Sequence, residues 1–240
     1  MQKNPNTFFT KIAQADAFCR TKRRPFIAVS YAQSVNGSIA PRNKEQMYLS
    51  GRQSLVLTHR LRSVCDAILV GIETVLIDDP QLTVRLVEGK NPQPIILDTR
   101  LRIPIEATLM RQIGRQVLIV SGQQPSSAKA AQLQQAGATI LPCATNAEGR
   151  IDLRVLVNVL AQRGIRSLMV EGGAGVITSF INLQLVDYFI ITITPKLLEG
   201  VQVIRPSPLM RLSCLQLGEV EYQQLDDDIV LWAQPVWDEE

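Results

Sequence analysis

Short apolar runs alternate with amphipathic segments along most of the chain. Runs rich in apolar and β-branched residues predict strands; they are PFIAVSYAQ, AILVG, QPIILD, QVLIVSG, ATILPCA and RSLMVEG. Apolar residues recur at helical intervals between several of these strands, in GRQSLVLTHRLRSVC, SSAKAAQLQQAG, DLRVLVNVLAQRG and GAGVITSFINLQ. Strands that alternate with helices predict an α/β fold with a mostly parallel central sheet flanked by helices.

The pattern changes towards the C-terminus. VDYFIITITPKLL predicts a long strand, and CLQLGEVEYQQL and DIVLWAQPV predict two more strands without a helix between them. Strands joined without a crossover helix pair antiparallel, so we expect a C-terminal antiparallel hairpin. The absence of a repeat or an interior linker predicts one domain over residues 25–240. Residues 1–24 are polar, and we expect an N-terminal extension with a short helix around Phe8 to Phe18.

Composition and charge argue against several classes of protein, among them nucleic-acid-binding, membrane-spanning and zinc-binding proteins. The 240 residues carry a net charge of +3, without the basic and aromatic interleaving that nucleic-acid binding would favour. The chain begins without a signal-peptide pattern and has no apolar stretch long enough to span a bilayer, so we expect a cytoplasmic protein. Four widely spaced cysteines predict reduced thiols, and with His59 as the single histidine we expect no metal site of the zinc type.

Three polar clusters fall at predicted strand ends, where ligands bind in open α/β sheets. The first, SYAQSVNGSIA, presents Ser34, Asn36 and Ser38 at a turn. The second, GIETVLIDDPQLTVR, contains Asp78 and Asp79 before a proline. Paired acids before proline favour a plain turn, and a divalent-metal site is the alternative.

The third cluster is VEGGAG, where Glu171 precedes a glycine-rich turn. A strand end, a tight turn and a helix start suit an anion such as a diphosphate. The spacing does not match the dinucleotide fingerprint, and the Lys-Ser/Thr of a P-loop is missing. A tight packing point is the alternative.

Five blocks in order resemble the RibD C-terminal family, the reductase domain of riboflavin biosynthesis. The blocks are SVNGSIA, HRLRSVCDAILVGIETVLIDDPQLTVR, ILDTRLRIP, GIRSLMVEGGAGVITSFINLQLVD and ITPKLLEG. The resemblance runs from about Pro25 to the C-terminus and implies a dihydrofolate reductase-like fold. It further implies that NADPH reduces a phosphoribosylamino-pyrimidine, with hydride accepted at C1′ of the opened ribose.

The resemblance also implies the ligand contacts. Cofactor binding falls on Ala32 (through its backbone), Tyr48, Thr74, Asp78, Thr99 and the diphosphate segment Gly173, Ala174, Gly175, Val176, Ile177, Thr178 and Ser179. Substrate binding falls on Gln46, Arg62, Leu82, Arg85 and Glu171, with the two arginines on the phosphate. Glu171 and Asp78 are the implied catalytic residues, and no metal is implied.

Some positions depart from the family pattern. Asn36 stands where Asp is usual, Gln46 where Ser is usual, and Tyr48 where Trp is expected. The deaminase partner domain with its zinc ligands is absent from this sequence, so we expect a stand-alone reductase.

The expected reaction is reduction of 5-amino-6-(5-phosphoribosylamino)uracil to its ribitylamino form. The alternatives are reduction of the non-deaminated 2,5-diamino-6-(ribosylamino)pyrimidinone phosphate, pterin reduction of the dihydrofolate reductase type, or a non-catalytic ligand-sensing module. Partners are expected to be the small-molecule substrate and a second copy of the chain, in a homodimer formed through the late strands.

Overall fold

A nine-stranded sheet runs through the molecule. The computed structural model describes residues 6–43, 45–112, 114–124, 126–204 and 214–237. The strands are β1 (Phe26–Ser34), β2 (Ser38–Pro41), β3 (Ala67–Gly71), β4 (Gln93–Leu97), β5 (Leu118–Ser121), β6 (Thr139–Pro142), β7 (Ser167–Gly172), β8 (Tyr188–Thr194), β9 (Gly200–Gln202), β10 (Gln216–Leu225) and β11 (Asp228–Val236). The helices are α1 (Asn6–Ala13), α2 (Ala15–Lys22), α3 (Arg52–Val64), α4 (Ile72–Asp78), α5 (Ser127–Gln135), α6 (Leu153–Gln162) and α7 (Ala174–Asn182), with a 3₁₀ turn at Thr108–Arg111.

The order across the sheet is β10-β11-β8-β1-β7-β3-β4-β5-β6. The strands from β8 to β6 in this order are parallel, whereas β11 and β10 are antiparallel additions at one edge. Parallel strands with both faces covered need continuous apolar runs, and every residue of β3 is buried. The predicted α/β class, the mostly parallel sheet and the C-terminal hairpin are therefore confirmed.

Both faces of the sheet are packed. Side chains of successive strand residues point to opposite faces, so Ile27 and Val29 lie in one core and Phe26 and Ala28 in another. Helix α6 covers the first face and begins as predicted at Asp152, whose carboxylate accepts hydrogen bonds from the backbone N–H groups of the first turn.

Two elements differ from the expectation. The segment after β3 forms helix α4. The sequence pattern did not predict this helix, because seven residues are too few to show a repeating pattern of apolar positions. Strands β2 and β9 pair in a separate two-stranded sheet.

Asp79 ends helix α4 in a turn, as its position before a proline predicts. It has a left-handed backbone, and its carboxylate accepts hydrogen bonds from Thr108 N and Oγ1.

The N-terminal segment forms two helices where a single short one was expected. The Phe8 side chain is fully buried, with its ring centroid 5.5 Å from that of Tyr188 and 6.0 Å from that of Trp232. The Arg24 guanidinium forms two hydrogen bonds of 2.6 and 2.8 Å with the Asp187 carboxylate. These helices pack on the sheet, and the domain boundary at residue 24 stays a prediction.

In the described part of the chain, none of the helices has the length and apolarity that crossing a membrane requires.

Replacing Phe8 by Ala should lower the free energy of unfolding by about 3–5 kcal/mol, because it empties a fully buried aromatic site. Chemical denaturation of the purified protein measures this. Leu197→Ala is the control, since Leu197 is 81% exposed. Equal stability of the Phe8→Ala variant and the parent would show that the N-terminal helices do not contribute to the folded core.

Candidate functional site

Two clefts lie where the parallel strands end. Cleft A, about 500 Å³, is bordered by the start of α7 and by the segments after β4 and β6. Cleft B, about 660 Å³, is bordered by β1, α4 and the segment 45–50. Glu73, Gly173 and Ala174 line both clefts. The two therefore form one groove, divided at the turn between β7 and α7.

This turn depends on glycine. Gly172 has φ of +110°, a conformation that L side chains rarely adopt. Gly173 is the N-cap of α7 and supplies no capping side chain. A Cβ built on Gly173 would meet Thr74 Oγ1 at 3.6 Å, an ordinary contact, so space inside the protein does not exclude a side chain there. The start of α7 thus faces the groove with its backbone exposed to a ligand.

The predicted diphosphate segment divides into two sets. Gly173, Ala174, Gly175, Val176 and Ser179 line cleft A. Ile177 and Thr178 are buried behind it; Ile177 packs in the core, and Thr178 Oγ1 donates a hydrogen bond to the Val203 carbonyl. The predicted residue Thr99 also lines cleft A, at the end of β4.

Cleft B brings together the other predicted cofactor residues, namely Ala32, Tyr48, Thr74 and Asp78. Burial raises the pKa of the Asp78 carboxyl above its usual range. Gln46 lies outside the lining, and its amide N donates to the Asp78 carbonyl and to Tyr48 Oη, at 3.3 Å in each case. Asp78 is therefore an acid within the cleft that holds its proton to higher pH than an exposed aspartate.

Glu171 lines cleft B and is held from behind by Arg62 on α3. Arg62 Nε and Nη2 donate to the two carboxylate oxygens at 2.7 and 2.6 Å, and Nη1 donates to the Thr83 carbonyl at 3.1 Å. The two side chains are 13% and 14% exposed. Burial disfavours the charged guanidinium, but Glu171 outweighs it and the pKa of Arg62 is raised. The pair fixes the Glu171 carboxylate in one orientation.

Arg85 and Leu82 lie on the loop after α4, outside the lining of both clefts. Leu82 is 2% exposed. The Arg85 side chain is exposed, and its Nη1 donates to Gln81 Oε1 and Thr83 Oγ1. Its backbone N–H donates to His59 Nδ1 at 2.8 Å. Burial, together with Arg62 and Arg85, lowers the pKa of His59 to about 4, so the ring is a neutral acceptor near pH 7.

Arg115 holds the same loop and was not anticipated. It donates hydrogen bonds to the carbonyls of Gln81, Leu82 and Pro92. Burial and the nearby Arg62 lower the pKa of Arg115 to about 10. Its neighbours come from a loop 23 to 34 residues earlier in the chain, so local sequence carries no signal for this contact.

Asn36 connects two of the family-like blocks. Its Nδ2 donates to the Leu198 carbonyl at 2.9 Å, while its Oδ1 accepts from Leu198 N and Ser34 Oγ. An amide can donate and accept in this way, whereas an ionised aspartate can only accept. Lys196 in the same block donates from Nζ to the carbonyls of Tyr48 and Leu49, which holds the Tyr48 segment beside cleft B.

Among the residues that the structure describes, no group of three or more His, Cys, Asp and Glu side chains could hold a metal ion. The four cysteines are free thiols; three are buried and Cys214 is exposed.

The sequence is similar to those of known riboflavin-biosynthesis proteins. Residues 25–231 match the model of the RibD C-terminal domain. The chain is 35% identical over 187 residues to a 2,5-diamino-6-ribosylamino-4(3H)-pyrimidinone 5′-phosphate reductase of Archaeoglobus fulgidus, covering 74% of this chain and 83% of that protein. It is 29% identical to the riboflavin biosynthesis protein RibD of Aquifex aeolicus, covering 88% of this chain but only 58% of that longer protein.

Solved structures give the same result. The riboflavin biosynthesis reductase Rib7 of Saccharomyces cerevisiae superimposes with a TM-score of 0.73 at 26% identity, covering 93% of this chain and all of that one. RibD of Acinetobacter baumannii gives 0.81 at 23% identity, covering 95% of this chain and 62% of that one, which shows a shared fold.

The family model covers most of the chain, a relative above 30% identity matches nearly three-quarters of it, and the resemblance of the five sequence blocks is thereby confirmed. The chain belongs to the RibD C-terminal domain family of riboflavin-biosynthesis reductases.

Proposed function

We propose that this protein is an NADPH-dependent reductase of riboflavin biosynthesis that converts a phosphoribosylamino-pyrimidine into its ribitylamino form. The observation that carries the proposal is the divided groove: clefts A and B meet at Gly173, Ala174 and Glu73. A dinucleotide that lies in cleft A and crosses this boundary would bring its nicotinamide into cleft B, against a substrate bound there, as hydride transfer requires. The names of the family relatives support a reductase.

The cofactor would enter through cleft A. The backbone N–H groups at the start of α7 suit its diphosphate, because a helix N-terminus favours negative charge. Ala32, Tyr48, Thr74 and Asp78 in cleft B would then surround the nicotinamide. When bound, NADPH supplies the hydride; the chain supplies the alignment.

The pyrimidine would share cleft B. Glu171, oriented by Arg62, is suited to accept N–H groups of an aminopyrimidine. Reduction of the opened ribose at C1′ consumes one hydride and one proton. Asp78 is proposed as the proton donor, since burial raises the pKa of its carboxyl.

The substrate phosphate is assigned to Arg85, with Arg62 in support. Three of the five guanidinium N–H groups of Arg62 are bound to Glu171 and Thr83. The exposed Arg85 therefore has more donors to offer an anion. Gln46 and Leu82 are proposed at the edge of the same site.

Two phosphoribosylamino-pyrimidines are alternative substrates for this reaction. The deaminated uracil is the substrate expected from the sequence, and the names of several relatives favour the 2,5-diamino compound. A pterin is disfavoured because it lacks the phosphate that the arginines suit. A non-catalytic sensor would not need Asp78 and Glu171 in one cleft.

We further propose a cytoplasmic homodimer. Strand β10 forms an edge of the sheet, and the exposed side chains of Tyr222, Ile229 and Val236 lie on this hairpin. A second copy could cover that edge.

Incubating the protein with NADPH and each pyrimidine separately tests the function. We expect NADPH absorbance to fall with at least one of them and a ribitylamino product to appear by mass spectrometry. Dihydrofolate serves as the control compound. If it supported turnover while both phosphoribosylamino-pyrimidines failed, the proposed reaction would be wrong.

Gly173→Ala should weaken NADPH binding roughly tenfold, because a methyl group would stand where the diphosphate approaches the backbone. Gly51→Ala is a matched control: Gly51 is the N-cap of α3 and has a similar extended backbone. Titration of cofactor fluorescence gives both affinities, and thermal unfolding checks both folds. If the Gly173→Ala variant bound NADPH as tightly as the parent, the proposed position of the diphosphate at the start of α7 would be wrong.

Arg85→Ala should raise the KM for the pyrimidine about ten- to a hundredfold, from the loss of a charge-assisted contact worth roughly 1.5–3 kcal/mol. The KM for NADPH should stay nearly constant. Arg85→Lys should also be impaired, since an ammonium cannot bind phosphate in a bidentate manner. The exposed Arg163, changed to Ala, is the control. An unchanged pyrimidine KM in Arg85→Ala would refute the phosphate assignment.

A further inference from the structure

Helix α3 binds the backbone of the loop after α4 through two side chains on one of its faces. His59 and Arg62 are three residues apart, a spacing that places them side by side on a helix. Arg62 Nη1 donates a hydrogen bond to the Thr83 carbonyl at 3.1 Å, and His59 Nδ1 accepts one from the Arg85 backbone N–H at 2.8 Å. A parallel strand takes the same two groups of its neighbour, the carbonyl of one residue and the N–H two residues later. The two side chains thus bind the loop as a neighbouring strand would.

The His59 ring is suited to this contact because it is neutral. Its side chain is 4% exposed. Burial and the charges of Arg62 and Arg85 outweigh the opposing effect of Glu171 and lower the pKa of the ring to about 4. A neutral imidazole has one acceptor nitrogen and one N–H group, whereas a protonated ring can only donate. Nδ1 therefore accepts the Arg85 N–H, and the ring proton lies on Nε2.

The contact with His59 is also the last backbone anchor of the loop at Arg85. The preceding N–H group, that of Val84, is bound by Asn91 Oδ1 at 2.7 Å. Over the described residues 86–91, by contrast, no backbone N–H forms a hydrogen bond. The Arg85 side chain is exposed and extends from this point of the chain. The position from which the guanidinium can reach a ligand therefore depends on His59.

We propose that His59 is a positioning residue that holds Arg85 at a fixed distance from Glu171, so that one substrate molecule reaches both. The proposal rests on the proposed function in so far as Arg85 binds the substrate phosphate and Glu171 binds the pyrimidine. Arg62 binds both oxygens of Glu171, and His59 on the same face of α3 binds Arg85. Helix α3 thus connects the two ends of the substrate site.

Hydrogen exchange of the Arg85 amide, followed by NMR without any ligand, tests the contact itself. His59→Leu removes the acceptor and should raise the exchange rate at least about tenfold. His59→Gln, whose amide oxygen reaches the position of Nε2, should do the same. His59→Asn places an amide oxygen near the position of Nδ1 and should keep the rate within about threefold of the parent. Val64→Ala, at the exposed end of α3, is the control, and thermal unfolding checks that each variant folds.

Steady-state kinetics tests the consequence for the substrate. His59→Leu and His59→Gln should raise the KM for the pyrimidine about tenfold and leave kcat and the KM for NADPH within about threefold. His59→Asn should keep a KM near that of the parent, because it keeps the acceptor. A variant that was merely less stable would behave differently: a smaller folded fraction lowers the apparent kcat and leaves KM unchanged.

A double-mutant cycle separates positioning from a direct role of His59. Arg85→Ala keeps the backbone N–H but has no guanidinium to position, so in that background His59→Leu should change the pyrimidine KM by less than about twofold.

Three results would overturn the proposal. They are a parent-like exchange rate of the Arg85 amide in the folded Leu or Gln variant, a parent-like pyrimidine KM in that variant, and an equal rise in KM with and without the Arg85 side chain. Failure of the proposed function would look different, since the parent itself would turn over neither pyrimidine. The exchange rates would then still decide whether His59 holds Arg85.

Discussion

The turn between β7 and α7 is the constraint on which the whole groove depends. Glu171 precedes the turn and lines cleft B, whereas the start of α7 follows the turn and lines cleft A, with Gly173 and Ala174 bordering both clefts. Gly172 permits this sharp change of direction because its φ of +110° is costly for any other residue. Moving the turn would separate the carboxylate from the helix start. The backbone of this turn therefore sets the distance between the Glu171 carboxylate and the start of α7, on which the proposed contact between substrate and cofactor depends.

The turn also explains how an acid can stand beside a site suited to phosphate. Glu171 would repel an anion if its charge were unbalanced, but Arg62 binds both of its oxygens in a largely buried pair. The pair directs the carboxylate to one side and leaves the positive end of the α7 dipole to the other. Arg62 in turn depends on Thr83, and the loop containing Thr83 is held by Arg115 and His59. The charge arrangement of cleft B thus reaches well beyond the residues that line it.

Local sequence patterns were sufficient to predict the elements in which those patterns are strong. The buried run predicts β3, the aspartate before an amphipathic segment predicts the Asp152 cap of α6, and two strands without an intervening helix predict the hairpin of β10 and β11. Helix α4 was not predicted, because its seven residues fill scarcely two turns. The strand-end rule located the glycine turn, but the partners of Glu171 and Asn36 come from 109 and 162 residues away. Such pairs depend on sheet order, which local patterns do not encode.

The central claim is that one groove aligns a nicotinamide with C1′ of a phosphoribosylamino-pyrimidine. Isotope transfer tests it most directly: the protein would be supplied with NADPH deuterated at either face of nicotinamide C4, and the pyrimidine product analysed by mass spectrometry. The account predicts one deuterium at C1′ of the ribityl chain, from one of the two faces only. A reduced pyrimidine without deuterium from either cofactor would contradict direct transfer within the groove.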